Sequence, residues 1–438
     1  MMSELVRDLL AFIDASPTPY HAVAESVRRL ASVGYQQCAE DEIWNLSPGD
    51  RRFVIRNGGG LLAFEVGSGS PASGGFRIIG AHTDSPNLRL KPRADVSAHG
   101  YRQFAVETYG GLLLHTWLDR DLSIAGRVTL RGQAEPKTAL LDFGRPLVRI
   151  PNLAIHLYRE MKTEGLKLNS QQHGIPVAGL EGAPGLEELI SKELRAQDTA
   201  DVGPDEILGF DLMLYDTQPS ALGGIDGAFI HAPRLDNLAS CHAGISALVD
   251  CEANALPLFT RVLVLYDHEE VGSRSAQGAG GTLLRDALER CVSGFKGGEP
   301  QGVSRALARS LLVSTDMAHA VHPNYADKHE PGHRPVLGGG PVIKVNADQA
   351  YASDGLSSGV FSALCREVGV EPQHFVSRND LPCGSTIGPI SAARVGISTV
   401  DVGNPMLSMH SCREMAGSAD VAPMIAVLRG FYHGGGVQ

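Results

Sequence analysis

Hydrophobic positions along this chain follow two different periods. Near the N-terminus Leu5, Leu9, Leu10 and Ile13 recur at helical spacing and define one apolar face, with SPTPY as the stop. A second helix follows. The segments RRFVIRN and LLAFEVG, separated by a glycine run, then alternate with the period of two paired strands. Four later runs are apolar almost throughout: Phe76 to Gly80, Val262 to Tyr266, Leu311 to Ser314 and Val395 to Val400. They are rich in leucine and β-branched residues, with Arg77 their only charge, as expected of strands covered on both faces. After Asp236 the positions Leu238, Cys241, Ile245 and Leu248 mark a helix. This rhythm predicts an α/β fold: a mixed central sheet with flanking helices.

The pattern changes between about Pro92 and Gly223. Short β-like pieces (GRVTLRG, TALLDF, LVRIPNLAIHLYRE) precede a polar stretch from Lys162 to Asp201. We read this region as a β-rich domain, residues 94–222, inserted into a catalytic domain made of residues 1–93 and 223–438.

Chemistry gathers where the apolar runs end. His82 stands in GAHTDSP, Asp236 in PRLDN, Glu270 in YDHEEVGS, Asp316 in STDMAHA and His410 in SMHSCRE. Open α/β sheets build their sites beyond the carboxyl ends of the strands. Two imidazoles and three carboxylates are the donor set of a dinuclear zinc site in which one carboxylate serves both ions. In this reading Asp236 is the bridge. His82 and Asp316 complete one set with it, and Glu270 and His410 the other. Neighbouring residues at a strand end point to opposite sides, so Glu270 is read as the ligand and Glu269 as the general base. Asp84, two positions after His82, is placed to accept the other ring N–H of His82 and orient it. His242, His268, His319 and His322 remain alternative ligands, and Asp236 by itself reads more readily as a helix N-cap than as a ligand.

Length and composition bound the rest. A chain of 438 residues suggests two domains, and 43% hydrophobic with 20% charged residues describes a globular protein. The net charge of -11 argues against a nucleic-acid partner. No uninterrupted apolar stretch is long enough to span a membrane, and charges at Glu4, Arg7, Asp8 and Asp14 interrupt any signal-like segment. Seven cysteines without a CxxC pair predict free thiols in a reducing compartment, so a cytoplasmic location is expected.

The segments GAHTDSPNLRLKP, HTWLDRDL, PNLAIHL, APRLDNLAS, DHEEVGS, STDMAHAVHPNY, NDLPCGSTIGP and MHSCREM, in this order, resemble the aspartyl aminopeptidase family of dinuclear-zinc exopeptidases. The resemblance spans nearly the whole chain. It implies a zinc exopeptidase-like fold and two zinc ions per subunit: one held by His82, Asp236 and Asp316, the other by Asp236, Glu270 and His410. Glu269 would then be the base. It further implies a cis peptide after Asp236 and a dimerisation role for the inserted domain. His156 would reach a neighbouring subunit's site, and dimers would assemble into a dodecamer.

The reaction so implied is removal of an N-terminal residue, preferentially Asp or Glu, from peptides through a metal-bound hydroxide. Acidic preference requires a cation. Lys344 is the leading candidate, supported by Ser385 and Thr386, with Arg89 and Arg378 as other cations. Two further readings remain: a zinc aminopeptidase of broader specificity, and a non-catalytic peptide-binding oligomer.

Overall fold

Four parallel strands, Thr260–Tyr266, Phe76–His82, Leu311–Thr315 and Ser398–Gly403, lie side by side in that order at the centre of the molecule. They belong to a computed structural model that describes residues 3–251, 256–295 and 300–435. Antiparallel neighbours extend the sheet on both sides. Gly60–Glu65 pairs with Thr260–Tyr266 and continues into Arg51–Arg56, while Val342–Val345 pairs with Ser398–Gly403. The nine-stranded sheet is therefore mixed, as expected.

Alternation along each strand feeds two cores, because successive side chains point to opposite faces. Ile79, Ala81, Leu263, Leu265, Val313 and Val400 face the helices Glu4–Asp14, Leu235–Val249 and Val421–Tyr432. Ile78, Val262, Val264, Tyr266 and Leu312 face the helices Leu283–Gly294 and Ile387–Val395. Cover on both faces explains why these strands read as continuous apolar runs.

Three local expectations differ from what forms. The first helix buries Val6, Leu9, Phe12 and Ile13, while Leu5 and Leu10 are only partly buried. The stripe is rotated because Phe12 packs under the Arg29 guanidinium at 5.1 Å and against His242. Val395 ends a helix, and the strand begins at Ser398, because Gly396 takes the left-handed C-cap conformation with φ 77. The segment LVRIPNLAIHLYRE forms isolated bridges at Val148, Arg149 and Ile150, then turns, and is not a strand. Pro151 has no N–H and the Asn152 N–H goes to Asp119 Oδ1, so no continuous run of ladder donors remains.

A second sheet of six strands uses residues Asn87 to Asp216, and its first strand, Asn87–Ala98, runs across the boundary expected at residue 94. It has its own core, in which Leu88, Phe104, Ile124 and Leu212 meet Leu186, Ile190 and Leu194 of the helix Leu186–Ala196. A third, five-stranded sheet includes Phe229–Ala232 and Glu414–Gly417, paired so that Ala232 stands opposite Glu414. Among the described residues, no helix is long and apolar enough to cross a membrane.

Candidate metal centre

Parallel register brings the carboxyl ends of the central strands to one edge. His82 is the last residue of its strand, paired with Tyr266; Glu269 and Glu270 sit in the short turn after Tyr266, and Asp316 follows Thr315 directly. Asp236 arrives from the start of the helix Leu235–Val249. Its backbone there is not helical, and its Oδ1 has no hydrogen-bond partner. The Asp236–Asn237 peptide is cis, as the resemblance implies. His410 comes from the loop before Glu414–Gly417 and has φ 67.

The five expected ligands converge. His82 Nε2 lies 3.5 Å from Asp236 Oδ1 and 3.4 Å from Asp316 Oδ1. His410 Nε2 lies 3.4 Å from Asp236 Oδ2 and 3.3 Å from Glu270 Oε2. The two oxygens of Asp236 thus face different histidines, the geometry of a bridge. Donors of one tetrahedral zinc, each at about 2.0–2.2 Å, stand about 3.3–3.6 Å apart.

Protonation of the rings agrees with a cation between these groups. His82 Nδ1 is 3.0 Å from the Asp84 carbonyl and His410 Nδ1 is 3.2 Å from the Gly111 carbonyl. A carbonyl only accepts, so each Nδ1 carries a proton, and each Nε2 is the ring nitrogen turned toward the carboxylates, placed to give its lone pair to a cation held between them. Asp236 Oδ1 and Glu270 Oε1 are buried without a hydrogen-bond partner. Asp84, Asp236, Glu269, Glu270, Asp316 and Glu414 crowd together with Lys344 as the lysine among them. Burial, with Asp236 next, pushes Glu270 well above the usual carboxylate range. This excess of buried negative charge and the mixed nitrogen and oxygen donors fit divalent zinc.

Glu269 stands apart from the donor pairs. Burial pushes it up to about 8, opposed by His82 and reinforced by Asp316, Asp84 and Asp236. A carboxyl with raised proton affinity suits a group that takes and returns a proton.

Asp84 does more than stand beside His82 Nδ1. Its carbonyl, not its carboxylate, makes the short contact to His82; Oδ1 is 3.4 Å from the ring. The two carboxylate oxygens instead accept the backbone N–H groups of Glu269 and Glu270, each at 3.0 Å, and the Tyr109 hydroxyl at 2.6 Å. Two N–H donors and a hydroxyl outcompete one neutral ring N–H for a buried carboxylate.

The remaining candidates are placed as follows. Lys344 is buried, with Nζ 3.4 Å from Asp316 Oδ2 and 3.3 Å from the Met317 carbonyl. Thr386 is buried and caps a helix, accepting from Gly388 N–H and donating to Asp401 Oδ1 at 2.7 Å. Ser385 beside it is exposed, as is His156 in a turn of the second sheet's region. The alternative ligands are engaged elsewhere: His242 with Asp8, His268 with Ser275, and His322 with the Asn324 N–H. His319 meets the edge of Phe375.

Sequence reasoning missed the contribution of the second sheet. Gly110 has φ 69, and an added Cβ would stand 3.1 Å from Glu270 Cβ; with Gly111 it lets the backbone reach the site. The pair GG in TYGG was the visible signal, without a partner to interpret it.

A doubly covered α/β sheet with this donor set at its carboxyl edge defines a metallohydrolase. Residues 12–432 match the family described as aminopeptidase I zinc metalloprotease (M18). The chain is 49% identical over 414 residues to a probable M18 family aminopeptidase 2 of Streptomyces coelicolor, covering 94% of each chain. The solved structure of Ape4 in complex with Nbr1 aligns with a TM-score of 0.94 at 41% identity, covering 98% of this chain and 85% of that one. The mApe1 dodecamer of S. cerevisiae aligns with a TM-score of 0.85 at 30% identity, covering 98% and 96%. This chain belongs to the M18 family of zinc aminopeptidases, the aspartyl aminopeptidase family.

Proposed function

We propose that the protein removes Asp or Glu from the free amino terminus of peptides, with two zinc ions per chain and Glu269 as the general base. The observation that carries this reading is the split of Asp236, one oxygen facing His82 and the other His410. His82, Asp236 and Asp316 would hold one zinc, and Asp236, Glu270 and His410 the second. Bound zinc would supply Lewis acidity toward the scissile carbonyl and lower the pKa of a water in the site.

The protein groups do the rest. Glu269 takes the proton of the attacking water and returns it to the leaving amine. Asp84 holds the Glu269–Glu270 turn by both backbone N–H groups, so the base and a ligand keep a constant separation. His156 of the partner subunit donates to the developing oxyanion.

Lys344 is the proposed source of acidic preference, because it brings a buried positive charge to the side of Asp316. Ser385 and Thr386 are the proposed hydroxyls of that pocket. One observation favours a broader specificity: the Lys344 ammonium already has Asp316 and the Met317 carbonyl as partners.

We further propose that residues 94–222 form a dimerisation unit and that dimers assemble into a dodecamer. Support comes from the dodecameric relative and from exposed Leu153 and Leu157 flanking His156. A cytoplasmic location is supported by all seven cysteines being free thiols.

Matched peptides with Asp, Glu, Leu or Lys at a free amino terminus, assayed with zinc and after chelation, test the reading. Chelator-sensitive release of Asp and Glu alone is expected. Release of Leu at an equal rate would overturn the acidic preference, and no release at all would favour a peptide-binding oligomer.

A further inference from the structure

The side chain of Glu414 is buried, and it has no place in the donor set. Its strand, Glu414–Gly417, is locked opposite Phe229–Ala232, with Glu414 paired to Ala232 just ahead of the helix that begins at Leu235. From there one carboxylate serves two chain segments. Oε2 accepts the Asp236 backbone N–H at 3.1 Å, and Oε1 accepts the His410 backbone N–H at 2.8 Å. Asp236 and His410 are 174 residues apart in sequence, and this one side chain ties their backbones together.

The two metal positions depend on this tie unequally. His82 and Asp316 sit at the ends of central strands whose ladder already sets their spacing. Asp236 has further anchors: its carbonyl accepts from Ser85 Oγ at 2.6 Å, and Asn237 Nδ2 donates to the Thr315 carbonyl at 2.9 Å. His410 lies outside any strand in a left-handed conformation, a backbone state that is unfavourable for a non-glycine residue and needs outside support. That support is the Glu414 carboxylate on its N–H, and on its other side the Leu113 N–H donating to its carbonyl at 3.0 Å.

We propose that Glu414 is a positioning residue for the second zinc, setting the distance between the bridging Asp236 and His410 without itself touching the metal. The inference rests on the two-zinc reading above. Glu414→Gln keeps size and shape but replaces one acceptor oxygen with a donor, so one of the two N–H groups loses its partner. Glu414→Asp keeps both acceptors on a shorter arm.

The test is zinc content per chain and zinc affinity by chelator competition, on full-length protein stripped and reloaded, alongside the melting temperature and kcat. Wild type is expected to take up two zinc ions. Glu414→Gln is expected to keep the first at wild-type affinity and bind the second about 10–100-fold more weakly, with kcat recovering as zinc is raised. Glu414→Asp should fall between the two. Two ions held at wild-type affinity in a Glu414→Gln protein that merely melts lower would overturn the proposal and leave Glu414 a structural residue. Wild type that takes up a single zinc would overturn the dinuclear reading itself. Should Glu414→Gln fail to fold, unchanged second-site affinity in Glu414→Asp overturns the proposal equally.

Discussion

The Tyr109 hydroxyl donates to Asp84 Oδ2 across 2.6 Å, joining the second sheet to the turn that carries Glu269. Asp84 passes this contact on to the backbone N–H groups of Glu269 and Glu270. The Tyr109 ring is held from above by the Arg89 guanidinium, 3.6 Å from its centroid. Tyr109→Phe keeps the ring and removes the hydroxyl. A hydrogen bond to a charged group contributes about 1.5–3 kcal/mol, so a lower melting temperature and kcat reduced about tenfold are expected. Unchanged kcat would show that Asp84 holds the turn without help from the second sheet.

Glu269→Gln should bind zinc as wild type does, since none of the four close donor contacts involves Glu269. Turnover should drop by about 10²–10⁴-fold. Zinc analysis together with kcat checks both halves, and near-normal turnover would place the base elsewhere.

His156→Ala should lower kcat while leaving zinc content and oligomer size unchanged, because the residue is exposed and is not among the side chains that converge around Asp236. The sharper check mixes subunits: co-assembled His156→Ala and Glu269→Gln chains should recover part of the activity that each lacks alone. Absence of recovery would speak against a site completed by a neighbour.

Lys344→Met separates two roles of one charge. If Lys344 reads the substrate, the ratio of Asp to Leu release should collapse. If it only orients Asp316, zinc affinity should fall while that ratio stays constant. The collapse is the expected result, and rates on paired peptides with zinc titration decide.

The pH dependence of stability should carry a signature of His21. Burial pulls His21 from 6.5 down to about 4, with its Nδ1 2.8 Å from Thr18 Oγ1. The folded pKa is depressed, so the unfolded chain binds the proton first and the neutral ring's contribution to stability is present above 6.5. It is lost progressively as pH falls from 6.5 toward 4. Denaturation midpoints at pH 7, 6 and 5 should converge for wild type and His21→Asn as pH drops; a constant difference would exclude this cause.

Local pattern determined the framework. Runs covered on both faces named the central strands, the segment motifs pointed to the five side chains that converge around Asp236, and strand-end placement gave Glu269 and Glu270 different expected roles. These features were readable because periodicity and strand polarity act over a few residues. Spacing placed the Asp84 carboxylate beside His82, where Oδ1 lies 3.4 Å from the ring, but not its second task of holding the Glu269–Glu270 turn, which lies 185 residues away in sequence and arrives only when the central strands pair in parallel. That Lys344 and Thr386 are buried beside Asp316 and Asp401 was not readable from the sequence. Glu414 and Tyr109 carried no signal of their own, since Asp236 and Asp84, which they hold, lie 178 and 25 residues away along the chain. The sequence by itself determined which chemical groups stand at the strand ends. Only the tertiary structure decided which backbone donors and buried charges surround those groups, because hydrogen bonds and desolvation depend on neighbours far apart along the chain.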